Sequence, residues 1–124
     1  MQFASTRLVT ANVDRMVAFY ETLLGMKASR PAPEFAEFRW GNLAFAISDQ
    51  KLVQRFNAGV AVPAQNRTAI IEFQVDDPDA VHAGLAPDVE VAMPPATMPW
   101  GNRSMLLRDP DGNAVNVFAR PKAA

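Results

Sequence analysis

The sequence predicts an α+β fold in one domain, built from two similar halves that each run strand, helix, then further strands. Three observations lead there. A helix pattern with clear start and stop signals, Asn12 to Gly25, follows a strand-like segment. A second start signal, Asp77-Pro78, follows another strand-like segment, at an offset of 65 residues from Asn12 to Asp77. Behind each helix come short apolar runs separated by the turn signals Gly41-Asn42 and Asp109-Pro110-Asp111-Gly112. A chain of 124 residues is long enough to bury a core and short enough to be one domain.

The elements follow in order. "FASTRLVTA" (3–11) reads as a strand. Asn12 caps a helix in which Val13, Met16, Val17, Tyr20 and Leu24 recur on one face. Gly25 suits the left-handed residue that ends it. "AEFRWG" (36–41) and "LAFAIS" (43–48) are strands joined at Gly41-Asn42. Residues 49–67 are less regular: "KLVQRF" fits a helical turn and "VPAQNR" a linker. The pattern restarts with "AIIEFQV" (69–75), the Asp77-capped helix, "VEVAM" (89–93), "RSMLLR" (103–108), the DPDG turn and "NAVNVFA" (113–119). "MPPATMP" reads as a loop leading to Trp100 and the strand behind it.

Composition excludes several classes. Hydrophobic residues make up 49% and charged residues 20%, as in soluble globular proteins. A net charge of −1 leaves no electrostatic footprint for nucleic acid or an anionic membrane. With no cysteine there is no disulfide, iron–sulfur cluster or thiol nucleophile. No apolar run approaches the roughly 20 residues that span a bilayer, and "MQFASTRLVT" lacks the layout of a signal peptide. A cytoplasmic location is the expectation.

"NVDRMVAFYETLLGM" (12–26) resembles the first helix of the vicinal oxygen chelate superfamily, with its polar cap, basic residue, Phe-Tyr and Leu-Gly. That superfamily includes glyoxalase I, extradiol dioxygenases, fosfomycin-resistance proteins and bleomycin-binding resistance proteins. "LLRDPDGNAVNVF" (106–118) resembles its C-terminal turn and strand, and "PWGNRSMLLRDPDGN" is most similar to the bleomycin-resistance branch. The resemblance implies two βαβββ modules, about 1–50 and about 68–120 with a linker at 51–67. Each curls its sheet into half of a barrel-like cavity, and the protein is expected to be a homodimer, since pairing covers exposed edges and a shared groove. The same fold hosts many chemistries.

Metal-dependent members place one ligand on each of four strands, usually His, Gln or Glu. By resemblance these positions are Ser5, Ala46 (or Ala44 one alternation away), Ile70 and Asn116. Transition metals want imidazole or carboxylate donors, so no metal and no other cofactor is expected. Asn116, set between Val115 and Val117, takes the place of a carboxylate and is expected to hydrogen-bond in the cavity wall. Alternation assigns Ser5, Arg7 and Val9 to the cavity side of the first strand, and Ile70, Glu72 and Gln74 to that of the strand at 69–75. Arg7 and Glu72 are equivalent under the offset; the pair either binds a polar ligand or neutralises itself. Phe38 and Trp40 share one strand face. Trp100 offers a flat stacking surface, or else buries a sheet end or a dimer contact. His82, the only histidine, lies on the second helix and reads as solvated. Ser5 has no base to activate it, and Asp109 and Asp111 read as turn-makers.

The expected function is metal-independent binding of a small, partly aromatic organic molecule. The alternative is an enzyme (a lyase, isomerase or dioxygenase-like relative) with metal on unexpected ligands, or with acid–base chemistry from Glu72 and Arg7. A third reading is a structural or regulatory protein whose cavity its own side chains fill. A cationic drug such as bleomycin suits the markedly acidic members of that branch better than a chain at −1 with Arg7 on its cavity face.

Overall fold

The computed structural model describes residues 1–122. They form two compact units, one over Met1–Gln65 and one from Asn66 onward.

The first unit contains β1 (Ser5–Thr10), α1 (Val13–Leu24), β2 (Ser29–Ala32), β3 (Phe35–Trp40), β4 (Leu43–Asp49) and α2 (Gln50–Phe56). Its sheet runs β1-β4-β3-β2, with β1 parallel to β4 and the other pairs antiparallel. Asn12 starts α1 as expected: its backbone is extended and its side chain accepts from the Arg15 amide at 3.0 Å. Gly25, at φ 64°, ends it and donates to Glu21 O at 3.0 Å. The apolar stripe Val13, Met16, Val17 and Tyr20 is buried. Tyr20 meets Phe45 of β4 edge-on, with ring centroids 4.7 Å apart, and Phe45 stacks in turn with Phe38 at 6.1 Å. Each such side chain contributes about 1.5–3 kcal/mol by burial, and together they fix which sheet face the helix covers.

Two features of this unit depart from the sequence reading. β2 carries Pro31 and pairs irregularly with β3; at the sheet edge a proline withdraws no ladder bond that the sheet needs. α2 makes two turns rather than one. Asp49 caps it by accepting from the Lys51 amide, Val53 is buried, and the helix packs on β1 and β4, so part of the expected linker belongs to the first unit.

The second unit contains β5 (Ile70–Gln74), α3 (Pro78–Ala83), β6 (Glu90–Thr97), β7 (Arg103–Arg108) and β8 (Ala114–Ala119), with sheet order β5-β8-β7-β6. Its core holds Met105, Leu107, Val115 and Val117. β6 runs on through Pro94 and Pro95, where the sequence suggests a loop. It is an edge strand whose register shifts twice, between Val91 and Met93 and between Met93 and Ala96, and such bulges accommodate residues that cannot pair. The DPDG turn is held by Asp109, 4% exposed, whose carboxylate accepts from the Asp111 and Asn113 amides and from Asn113 Nδ2 at 2.8–2.9 Å. Asn113 then accepts from Asn66 Nδ2 at 3.2 Å, fastening the segment that leads into β5.

The duplication persists in detail. Asp77 has φ −144° and ψ 93°, against −143° and 90° at Asn12, and its side chain likewise accepts from the amide three residues on. β5 is parallel to β8 as β1 is to β4. Both units are therefore βαβββ, giving an α+β fold of two four-stranded sheets. Among the described residues, no helix is long and apolar enough to cross a membrane.

Candidate functional site

α1 covers the Phe45 face of the first sheet and α3 lies against β6, β7 and β8 of the second, while α2 packs on β1 and β4; register decides which residues share the faces opposite α1 and α3. In the first unit the rows across β1, β4 and β3 are Ser5–Ala44–Arg39, Arg7–Ala46–Glu37 and Val9–Ser48–Phe35. Arg7 lies beside Ala46, and its Nη2 donates to Asn57 Oδ1 at 2.8 Å. Arg39 pairs with Glu37 at 3.1 Å. Ala46 forms the floor, only 3% exposed.

Phe38 does not belong to this face, which corrects its assignment as a ligand contact. It lies between Glu37 and Arg39 and so points to the other side, where it is 1% exposed against Phe45 in the core. Trp40 follows Phe38 by alternation and stands 43% exposed at the strand end, on the helix side of the sheet.

In the second unit the rows across β5, β8 and β7 are Ile70–Ala114–Arg108, Glu72–Asn116–Leu106 and Gln74–Phe118–Ser104. The expected set Ile70, Glu72, Gln74 and Asn116 therefore shares one face. Asn116 Nδ2 donates to Glu72 Oε2 at 2.8 Å. This bond fixes the amide's orientation, since only its nitrogen can serve a carboxylate. Asn116 Oδ1 is shut off from solvent and has no hydrogen-bond partner. Leaving such an acceptor unsatisfied costs about 1–3 kcal/mol. Gln74 Oε1 accepts from Arg120 Nε at 3.3 Å, and the Arg120 guanidinium lies 5.7 Å from the Phe118 ring centroid.

The remaining candidates lie elsewhere. Trp100 is 69% exposed at the tip of the β6–β7 connection, on neither set of rows. Its loop is a closed turn: the Met98 amide donates to Asn102 O at 2.7 Å and the Gly101 amide to Met98 O at 2.8 Å. Gly101 has φ 100°, and a Cβ there would lie 2.8 Å from Pro121 Cγ. His82 is exposed on α3. Asp109 and Asp111 serve the turn.

Two polar contacts have no local signal in the sequence. One is Asn57 against Arg7, separated by 50 residues. The other is Arg103, which donates from Nε and Nη2 to both oxygens of Asp79 at 2.9 and 2.8 Å, with Nη1 reaching Thr97 Oγ1 at 3.3 Å. The hydrogen bond from Arg103 holds the Asp79 carboxyl below its usual value, and Asp79 raises the guanidinium in return.

A metal at the positions suggested by resemblance does not fit this chain. Ile70 and Ala46 offer no donor, and Ser5 and Asn116 offer only neutral oxygens. Among the described residues, no group of three or more His, Cys, Asp or Glu side chains gathers anywhere.

Comparison with known proteins bears on the whole chain. A solved glyoxalase/bleomycin resistance protein/dioxygenase from Nocardioides is 27% identical with a TM-score of 0.77, covering 100% of this chain and 86% of its own. A protein of unknown function from Agrobacterium tumefaciens is 29% identical with a TM-score of 0.82, covering 96% and 94%. A lactoylglutathione lyase from the same organism, at 24% identity and a TM-score of 0.71 over 95% and 92%, shares the fold. No curated protein matches. The family model for the Glyoxalase/Bleomycin resistance protein/Dioxygenase superfamily matches residues 2–117, nearly the full length of both units, and the chain belongs to that superfamily.

Proposed function

We propose that this chain binds a small organic molecule without a metal, on the sheet faces opposite α1 and α3. The observation that carries this reading is the residue set at the four family ligand positions: Ser5, Ala46, Ile70 and Asn116 supply neither imidazole nor carboxylate. What these faces do present is a mixture suited to organic ligands, with apolar Ile70, Leu106 and Phe118 beside polar Glu72, Gln74 and Asn116. Trp100 adds an exposed indole on a short closed turn, a surface on which an aromatic group can stack.

The protein acts as a homodimer in this proposal, since each sheet has edge strands that a second copy can protect. A cytoplasmic location goes with it.

The test is a thermal-shift screen of the purified protein against bleomycin, other planar antibiotics and aromatic acids, with elemental analysis of the same preparation. Saturable stabilisation by an organic compound, in protein carrying no stoichiometric metal, is the expected result. Near-stoichiometric zinc, nickel, iron or manganese that is lost in Asn116→Ala overturns the metal-free reading. Sedimentation showing a stable monomer at micromolar concentration overturns the dimer.

A further inference from the structure

We infer that α2 is a releasable cover on the first unit's sheet, seated where an organic acid would bind. The inference rests on the metal-independent binding reading and says what must move before the first unit takes a ligand.

The path of α2 follows from its two ends. Asp49, its N-cap, closes β4 opposite Thr10. Asn57, its C-cap, accepts from Arg7 Nη2 at 2.8 Å. Its seven residues span about 10 Å of helix. The strand from Thr10 back to Arg7 covers the same distance, at about 3.3 Å per residue. α2 therefore doubles back along β1 and β4, on which it packs. Arg7 shares a row with Ala46, on the face opposite α1. The rows Val9–Ser48 and Arg7–Ala46 thus lie beneath α2, and both Ser48 and Ala46 are buried. α2 brings two groups to this face, the buried Val53 side chain and the Asn57 amide oxygen on Arg7. An apolar body and an oxygen acceptor are what an organic acid also brings, and its carboxylate would make the stronger bond to the guanidinium.

The cover is lightly held. A helix of seven residues has little stability of its own. Val53 is its one buried residue, while Phe56 stands 66% exposed at its end. The chain leaves it through Ala58 at φ 55° and Gly59 at φ 60°, and the first is a left-handed position that a Cβ disfavours. Beneath it the buried Ser48 hydroxyl donates to Asp49 O at 3.5 Å, a long bond. Among the described residues the second unit has no counterpart: α3 matches α1, and no helix follows β8. α2 is an addition to the duplicated βαβββ plan.

The chain contains no cysteine, so a single introduced thiol reports opening. Iodoacetamide labelling of Val53→Cys is compared with that of Val17→Cys, the same change on α1, with melting curves checking that both fold. Val53→Cys should label faster by about tenfold or more, through local opening rather than global unfolding. Adding Asn57→Ala should speed its labelling by about fivefold, and adding Ala58→Gly should slow it by about threefold. Sodium benzoate, binding the uncovered face, should speed it saturably, and benzyl alcohol should do so less. Hydrogen exchange of the wild-type α2 amides, with and without benzoate, repeats the comparison with no substitution in the helix. Equal labelling of the two thiols overturns the inference, as do labelling and exchange that benzoate leaves unchanged or slows. If compounds from the earlier screen bind while α2 stays closed, only this inference falls; if nothing organic binds, both readings fall.

Discussion

Arg103 grips Asp79 through two parallel hydrogen bonds of 2.9 and 2.8 Å, tying the first turn of the six-residue helix α3 to β7. So short a helix has little propensity to form alone, and its place depends on such ties and on the buried Pro78. The Asp79 carboxyl is held below its usual value, chiefly by the Arg103 hydrogen bond. A depressed carboxyl stabilises the fold above its unfolded-state value, and that contribution is lost as pH falls through the folded-state value. Asp79→Asn should therefore melt slightly below wild type at pH 7, and the gap should close as the solution is acidified through the carboxylate range. Melting curves of both proteins over that range check this; a gap that widens on acidification contradicts it.

Returning a carboxylate to position 116 tests the metal argument from the opposite side. Asn116→Glu leaves Ser5, Ala46 and Ile70 in place, so elemental analysis should still find no stoichiometric transition metal. The new anion also adjoins Glu72, now without the amide donor. A loss of about 1 kcal/mol at pH 7 is expected, recovered in part at acidic pH, where one of the two carboxyls takes up a proton. Urea unfolding at pH 7 and pH 5 measures it.

The two aromatics proposed from sequence should behave in opposite ways. Phe38→Ala empties a core position against Phe45 and should cost about 3–5 kcal/mol of stability. Trp100→Ala removes an exposed indole and should change stability by less than about 1 kcal/mol. If Trp100 stacks on the ligand, the same change should weaken binding by about thirtyfold. A large fall in melting temperature with unchanged affinity in Trp100→Ala would mean the residue is structural.

Gly101 carries the turn that presents Trp100. Its φ of 100° disfavours any side chain, and a Cβ would stand 2.8 Å from Pro121 Cγ. Gly101→Ala should cost about 1–3 kcal/mol and shift the position of Trp100. Gly41, also left-handed at φ 59°, has nothing within 4 Å of a built Cβ. Gly41→Ala should pay only the backbone term, about 1 kcal/mol. Comparing the two by chemical denaturation separates steric conflict from backbone strain.

Much of the fold was legible because its signals are local. Asn12, Gly25 and Asp77-Pro78 announce helix ends through their own backbone chemistry, and the offset between the two caps aligned Arg7 with Glu72. Strand alternation puts Ile70, Glu72 and Gln74 on one face, and the β5–β8 register sets Asn116 opposite Glu72. Alternation alone does not say which face the helix covers, so in the sequence Phe38, sharing a face with Trp40, reads as part of a binding surface. The charges Glu37 and Arg39, interleaved with Phe38, were the available sign that the open face was the other one. The sequence ends β6 at Met93 because prolines read as loop unless the strand is known to be an edge. Asn57 and Arg103 met their partners through tertiary folding, which no spacing in the sequence encodes.

The parallel pairing in each unit also orders events during folding. The β3–β4 and β7–β8 hairpins close over short turns. β1 and β5 must instead reach strands most of a unit away, with Ser5 opposite Ala44 and Ile70 opposite Ala114. Such long-range pairing bears the largest loop-closure cost and forms late. β1 and β5 are also edge strands, held by one neighbour each. Arg7 and Glu72 thus ride on strands whose pairing carries that cost, and a ligand bound along β5 would slow amide exchange there more than in the hairpin beside it.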